Sequence, residues 1–325
     1  MATLKDVANK VGVSVATVSY VLTGRGSVSK EMTQKVLDAV KELGYRPNRK
    51  AQAMRTGKSK SIGMILPDLT KPYFPHLAQK IESAARQQGY AVLLVDCQNE
   101  VESEPEGFEL LVQQGVDGII WFPMGQEMPV NLKTLNCPLV LLDLVELNGY
   151  DSVHCDFIKS ASMQAEYAYE MGHRRVGLLA GPQNIESARE RRKGFLQGAE
   201  GKLDIVWDLE VPFSTELTDE AREALLARDV TMVICADDLI GIGAMSALQE
   251  NGLHVPEDIS VMGCDNIPWS TLVSPKLTTI NQPIEAIGAE AVAILTRKIN
   301  TPDSTARSTK MDVDLVERES VRRLS

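Results

Sequence analysis

Two hydrophobic periods run along this chain of 325 residues. Over roughly the first 45 residues, apolar positions recur every three or four, the period of helices with one buried face. Leu4, Val7, Ala8 and Val11 form the first stripe. Thr3 is placed to cap it, with Asp6 three residues on in a capping-box arrangement. Gly12 breaks the pattern, and Ser14 is a second N-cap for a helix predicted to run to about Thr23, before Gly24 and Gly26. Ser29 caps a third helix, with Met32, Val36, Leu37, Val40 and Leu43 on one face and Gly44 ending it. Three short helices with a tight glycine turn between the first two make a helix-turn-helix.

From Ser61 the period changes. Short apolar runs (SIGMILP, AVLLVDC, DGIIWFP, PLVLLDL, SVHCDF, RVGLLAG, MVICAD, ISVMGCD) alternate with amphipathic segments of 10–18 residues, several closed by Gly89, Gly115, Gly172 or Gly252. This alternation predicts parallel sheets with helices on both faces. Eight or more such strands exceed a comfortable single sheet, so two similar lobes with a cleft between them are expected. In such folds ligands sit at the carboxyl ends of strands. The fold class is α/β: an N-terminal all-α helix-turn-helix headpiece followed by a two-lobed core. A parallel-sheet enzyme remains open at this point.

Charge separates the same two parts. Residues 1–60 carry 12 Lys and Arg against 4 Asp and Glu, a net of +8; the rest carries 22 against 40, a net of −18. A basic end on an acidic body predicts a local contact with a polyanion, confined to the basic end. Six of those cations, Arg46, Arg49, Lys50, Arg55, Lys58 and Lys60, fall in one acid-free stretch. Hydrophobic residues make up 44% of the chain, yet no apolar run reaches the ~18 residues that span a bilayer, and the N-terminus shows no signal-peptide pattern. A cytoplasmic protein without a membrane partner is expected. Cys97, Cys137, Cys155, Cys235 and Cys264 are odd in number and widely spaced, and the four histidines lack metal-ligand spacing. Buried thiols, no metal and no cofactor are expected.

The second helix carries the chemistry of the basic end. Val18, Val21 and Leu22 lie on one side to pack inward; Val15, Ala16, Ser19 and Tyr20 lie roughly opposite. Small and hydroxyl-bearing side chains at a helix start suit a major groove about 12 Å wide. Val15 and Ala16 would touch thymine methyls, while Thr17, Ser19 and the helix N-terminus would hold phosphates. A plain three-helix bundle with a polar face is the alternative.

TLKDVANKVGVSVATVSYVL followed by ELGYRPN resembles the headpiece of the lac-repressor/galactose-repressor (LacI/GalR) family of bacterial transcription regulators, with its V-S-x-x-T-V-S core at Val13, Ser14, Thr17, Val18 and Ser19. The resemblance implies a homodimer on double-stranded, near-palindromic operator DNA. It puts Val15, Ala16 and Tyr20 at base-reading positions, and Thr3, Thr17, Ser29, Thr33, Tyr45 and Asn48 at or near backbone contacts. Many members have Arg where this chain has Tyr20, and a phenol cannot pair bidentately with guanine. The resemblance further implies a hinge helix over part of 47–59 that forms when two copies meet in the minor groove. There Ala51 and Met54 face DNA, Met54 standing where a leucine wedge is usual and Lys50 where an apolar residue often sits.

The body lacks a GxSxG elbow, a GxGxxG turn and a complete P-loop. Its strand ends instead present Asp96, Trp121, Asp143, Asp156, Asp237 and Asp265, with Tyr73, Phe74 and Arg191 nearby. Carboxylates and an Arg hydrogen-bond hydroxyls, and aromatic faces cover the C–H side of a ring. Each Asp taken singly also suits a helix N-cap. DLTKPYFPHL, DGIIWFP, HCDF, GHRRVGLLAGP, SARERRKGF, VICADDLIGIGAM, VPEDISVMGCDN and LTTINQP are similar to the core motifs of the same family. That similarity implies effector-cleft positions at Phe74, Trp121, Asp143, Asp156, Ser187, Arg191, Phe213, Asp237 and Asp265, beside Tyr73. It also implies a headpiece over 1–46, a linker over 47–59 and a core over 60–325. Lobe 1 is expected over about 60–157 and 286–312, and lobe 2 over about 158–285 and 313–325.

Three functions compete: a ligand-responsive repressor, a sugar-binding protein of the extracytoplasmic type, and a sugar-modifying enzyme. The first accounts for the charge split, the helix-turn-helix and the lobes together, with a neutral sugar or glycoside as effector. Because a helix shorter than ~12 residues is marginal alone, the linker is expected to fold only on DNA. Ala53→Pro is therefore predicted to abolish specific operator binding in a gel-shift assay while leaving effector binding unchanged. Retained operator affinity would refute the hinge.

Overall fold

The computed structural model describes residues 2–23, 27–45, 57–125, 131–132, 135–144 and 149–324. Asn48, Lys50, Ala51 and Met54, and with them most of the expected hinge, lie outside the described residues. The chain divides into two compact units, Met1–Ser59 and Lys60–Ser325.

The first unit holds α1 (Leu4–Val11), α2 (Val15–Thr23) and α3 (Lys30–Glu42). Thr3 and Asp6 cap α1 reciprocally: the Asp6 amide donates to Thr3 Oγ1 at 3.3 Å, and the Thr3 amide donates to Asp6 Oδ2 at 2.8 Å. Gly12 ends the helix at φ 74, a conformation that costs a side-chain-bearing residue. Ser14 and Ser29 cap the next two helices through their hydroxyls. Val7, Ala8, Val18, Val36, Ala39 and Tyr45 close the core. The α3 stripe differs from expectation by one position. Leu37 is 43% exposed, and Ala39 takes the inward place in the headpiece core.

The second unit is two six-stranded sheets of matching strand order. The first contains β1 (Ser61–Leu66), β2 (Ala91–Asp96), β3 (Ile119–Trp121), β4 (Leu139–Leu142), β5 (Asp151–Cys155) and β11 (Ser308–Met311), in the order β2-β1-β3-β4-β5-β11. The second contains β6 (Arg175–Ala180), β7 (Asp204–Glu210), β8 (Met232–Cys235), β9 (Ser260–Asp265), β10 (Thr278–Asn281) and β12 (Asp314–Val316), in the order β7-β6-β8-β9-β10-β12. Pairing is parallel throughout except between β10 and β12. The eight apolar runs all become strands. β7, β10, β11 and β12 lack a run of that kind and join by pairing.

Helices cover both faces. In the first lobe these are α4 (Tyr73–Gln87) and α10 (Ile284–Asn300) on one side and α5 (Ser103–Gln113) on the other; in the second, α6 (Phe157–Glu170) and α7 (Glu186–Ala199) oppose α8 (Asp219–Leu226) and α9 (Asp238–Glu250). Period-two alternation sorts each strand between the two cores. Ile62, Met64 and Leu66 of β1 face one core and Ile65 the other. The chain passes between lobes three times: after β5, after β10, and between β11 and β12. Gly89, Gly115, Gly172 and Gly252 take positive φ in the turns that follow helices, as their spacing predicts.

Helices α6 and α7 touch at Gly194 and Gly198. A Cβ on Gly194 would lie 2.4 Å from the Ile158 carbonyl oxygen and 2.7 Å from its Cα, both backbone atoms that cannot step aside. Gly194→Ala is predicted to destabilise the core by about 1–3 kcal/mol through overpacking, despite alanine's better helix propensity. The urea midpoint should fall; an unchanged midpoint would show that the helices can separate freely.

Candidate functional site

The strands of both lobes point their carboxyl ends at one cleft, enclosing about 780 Å³ of empty space including its open mouth. In each sheet the chain order reverses beside the first strand, where doubly wound folds bind ligands. The first lobe brings Lys71, Tyr73 and Phe74 from the turn after β1 and the start of α4, Phe122 after β3, and Asp143 after β4. The second brings Ser187 and Arg191 on α7, Phe213 after β7, Asp237 after β8 and Asp265 at the end of β9. Gln282, in a crossing segment, completes the floor.

Arg191 organises the polar side. It is 6% exposed. Its Nη1 donates to the Ala236 carbonyl at 2.6 Å and its Nη2 to Asp265 Oδ1 at 2.9 Å, while its buried Nε has no protein partner among the described residues. Gln282 Nε2 donates to the same Asp265 oxygen at 2.5 Å, and Gln282 Oε1 accepts from the Tyr73 hydroxyl at 3.2 Å. Ser187 from the second lobe and Asp143 from the first line the same cavity. Burial disfavours the Arg191 charge, but the carboxylates around it, Asp265 first, outweigh that and hold it protonated.

The carboxyls respond in the opposite sense. Burial pushes Asp143 up to about 7, with Arg191 and the Ser187 hydroxyl opposing the rise. Asp237 is also pushed up to about 7, by burial and by repulsion from Asp265. Two of these aspartates sit on unusual backbone: Asp143 at φ 61 and Asp265 at φ 108. Positive φ in a residue with a Cβ stores strain, and the loops spend it on aiming both carboxyls into the cleft. Asp238, fully buried behind them, braces the Asp265 turn by accepting from the Ile267 amide at 2.8 Å and the Thr279 hydroxyl at 2.5 Å.

The apolar side is aromatic. Tyr73, Phe74 and Phe122 meet edge to face, with centroids 5.1–6.3 Å apart. Phe213 lies over Gly181, where a Cβ would fall 2.5 Å from its ring.

Eight of the ten expected cleft residues therefore line one cavity: Tyr73, Phe74, Asp143, Ser187, Arg191, Phe213, Asp237 and Asp265. Trp121 and Asp156 do not. Strand alternation turns Trp121 to the α5 side, where it is fully buried and its indole N–H donates to Glu104 Oε1 at 2.8 Å. Phe122, one residue later, is the cleft aromatic. Asp156 caps α6, accepting from the Lys159 amide at 3.1 Å, and pairs with Lys310 at 2.7 Å, so it stays at the lobe crossing. Lys71, Asn99, Phe122 and Gln282 were not indicated by pattern; only the position of Phe122 just past a strand end pointed to it.

In the first unit Val15 and Tyr20 are 43% and 51% exposed, and Ser14 and Ala16 are exposed with them on α2. Thr17 and Ser19 are half-buried, and the Ser14 and Thr17 hydroxyls pair at 2.9 Å. Thr3 and Ser29 are exposed helix caps, and Thr33 is half-buried. Tyr45 is 8% exposed and packs in the headpiece core. Residues 1–45 hold six bases and four acids, so most of the +8 resides in 46–60. Among the described residues, no helix is long and apolar enough to cross a membrane, and no group of three or more His, Cys, Asp and Glu is placed to hold a metal.

Comparison with known proteins agrees with both units. Residues 3–48 match bacterial regulatory proteins of the lacI family, and residues 165–321 match a periplasmic binding protein-like domain. The chain is 36% identical to the HTH-type transcriptional repressor PurR of Pasteurella multocida (strain Pm70), with 99% of each covered. It is similar to the lac repressor dimer bound to operator and the anti-inducer ONPF, at TM-score 0.87, 29% identity and 99% of both chains. It is also similar to a periplasmic binding protein/LacI transcriptional regulator from Alkaliphilus metalliredigens QYMF complexed with D-xylulofuranose. That match has TM-score 0.74 and 28% identity over 81% of this chain and 99% of the other.

The raised Asp237 carboxyl yields a signed prediction. Its folded pKa of about 7 exceeds the ordinary 3.8, so stability is present at low pH and is lost as pH rises through about 4 to 7. Asp237→Asn removes the titration and keeps an oxygen for the Ile240 amide. Its melting temperature should exceed wild type by more at pH 8 than at pH 5, an added gain of roughly 2 kcal/mol. An equal difference at both pH values would mean that the carboxyl is ionised throughout.

Proposed function

The chain belongs to the lacI family of bacterial regulatory proteins, and from that premise we propose that it is a dimeric transcriptional repressor whose operator affinity is set by a neutral, hydroxyl-rich effector, a sugar or glycoside, in the interlobe cleft. The observation that carries the effector class is the balance of charge in the cleft. Asp143, Asp237 and Asp265 line it together with one buried guanidinium, with which Asp265 pairs. A phosphate would enter against like charge in a poorly hydrated site. A polyol meets what it needs: carboxylates to accept from its hydroxyls, Arg191 to donate to its oxygens, and the Tyr73–Phe74–Phe122 and Phe213 faces for its C–H side. The relative holding D-xylulofuranose supports this class. A flat purine base is the competing ligand, because aromatic faces would stack on it and Asp and Arg edges match its N–H and carbonyl edges.

On the DNA side, α2 offers Val15, Ala16 and Tyr20 to base edges, with Ser14, Thr17 and Ser19 beside the backbone. Two copies related by a two-fold axis suit a near-palindromic operator. β2 is an edge strand exposing Leu93 and Leu94, an apolar surface suited to a second copy. The linker over 47–59, with Asn48, Ala51 and Met54, stays in this reading as the DNA-dependent joint.

A gel shift on promoter DNA, with ligands chosen by a thermal-shift screen of neutral sugars, sugar phosphates and purine bases, tests the whole reading. A neutral sugar should raise the melting temperature and change operator affinity. That affinity should drop about a thousandfold between 50 and 200 mM salt as phosphate contacts are screened. Tight binding of a sugar phosphate or purine with no response to neutral sugars would overturn the effector class, and weak salt dependence would overturn the DNA contact.

A further inference from the structure

The cleft does not end at the aromatic floor. A second compartment continues outward from it, with about 1330 Å³ of empty space including its open side. Trp269, Phe213, Asn184 and Thr215 line it from the second lobe, and Lys71 and Asn99 from the first. Lys71, Asn99 and Phe213 also line the inner cavity, so the two spaces share a wall and one ligand can occupy both.

Trp269 is the unexplained feature. It is 44% exposed, whereas Trp121 is fully buried and Trp207 partly so. An exposed indole on a mobile loop would signify little, but this one is rigidly mounted. It stands on a 3₁₀ turn, Pro268–Thr271. Arg318 grips that turn from below, donating to Ser270 Oγ at 2.9 Å, to the Leu277 carbonyl at 2.6 Å and to Asn266 Oδ1 at 2.5 Å. Buried Asp238 holds the Ile267 amide immediately before it. The segment that ends β9 thus presents Asp265 and Ile267 to the inner cavity and Trp269 to the outer one, from a single braced piece of backbone.

From this arrangement we infer that the effector carries a second ring, and that the outer compartment is its subsite, with the Trp269 face as the stacking platform. The ligand class is a neutral disaccharide, or a glycoside with an equally flat second group. The inner ring is held by the Arg191–Asp265 cluster. The outer ring lies against Trp269, with Asn184, Thr215 and Asn99 as amide and hydroxyl partners for its hydroxyls. Charge agrees with a neutral outer group: Lys71 and Asp68 are one cation and one carboxylate on the same rim. A rigid aromatic face gives contact area at little cost in conformational entropy, which is why such residues anchor recognition.

The inference rests on a sugar-like ligand in the inner cavity, so its test separates the two. Full-length protein is titrated calorimetrically with ribose, glucose, cellobiose, maltose and cellotriose, using wild type, Trp269→Ala, Trp269→Phe and Arg191→Met. At least one disaccharide should bind tenfold or more tighter than any monosaccharide. Trp269→Ala should lose that advantage, tenfold or more, with less than a twofold effect on monosaccharides. Trp269→Phe should recover most of it, and Arg191→Met should lose all binding. Disaccharide binding should also perturb indole fluorescence in wild type and much less in Trp269→Phe. Disaccharide affinity unchanged in Trp269→Ala, or monosaccharides binding as tightly as disaccharides, overturns the outer subsite and leaves the inner one standing. No response to any of the five sugars overturns both.

Discussion

A buried guanidinium has to be surrounded by acceptors, and the cleft of this protein is built around meeting that demand for Arg191. Its partners come from several elements: Asp265 from the end of β9, the Ala236 carbonyl from the end of β8, and, through Gln282 and Tyr73, the crossing segment and the first lobe. The charge is retained only because the carboxylates outweigh the cost of burial. Burial first, and repulsion from Asp265 second, push the Asp143 and Asp237 carboxyls up to about 7. The cluster thus ties groups from both lobes together at the place where they meet.

Rigidity surrounds the cluster. Asp238 and Arg318 brace the Asp265–Thr271 segment. On the other lobe, buried Glu104 accepts from the Trp121 indole and the Met124 amide, fixing the turn that carries Phe122. Burial raises the Glu104 carboxyl pKa, and its two hydrogen bonds oppose the rise. The positive φ at Asp265 persists because the Asp238 and Arg318 supports over-determine its loop.

The legible and illegible parts of the cleft differ in kind. Tyr73, Phe74, Ser187, Arg191 and Asp265 stood in motifs that resemble a known family, and the structure brings them together. Trp121 stood in such a motif too, yet a shift of one residue along a strand reverses the face, and Phe122 took the place. Asp156 was ambiguous from the start between ligand contact and helix cap, and pairing with Lys310 decided it. Asn99 lies in no motif, and Lys71 and Gln282 stood in DLTKPYFPHL and LTTINQP without being singled out, because a turn or crossing residue enters a site only through the packing of distant strands. The strands without a strong apolar run show the same limit. β11 and β12 are short edges with polar outer faces, and β10 is held partly by hydrogen bonds such as Thr278 N–H to Ser320 Oγ. β7 was not among the expected strands, and the Trp207 ring that anchors it lies over Gly177, a contact between separate segments.

By itself the sequence determined what short-range physics can settle. It set the three capped helices of the headpiece, the strand–helix alternation, the two-lobed division and the basic end on an acidic body. These follow from periodicity, capping and charge, all readable within a few residues. Only the tertiary structure decided which carboxyls share Arg191, that Trp121 faces inward and Tyr45 packs in a core, and that Trp269 stands at the mouth of the cleft. Those outcomes depend on pairing and packing between residues up to two hundred positions apart, as Tyr73 and Gln282 are, and no local pattern encodes such a meeting.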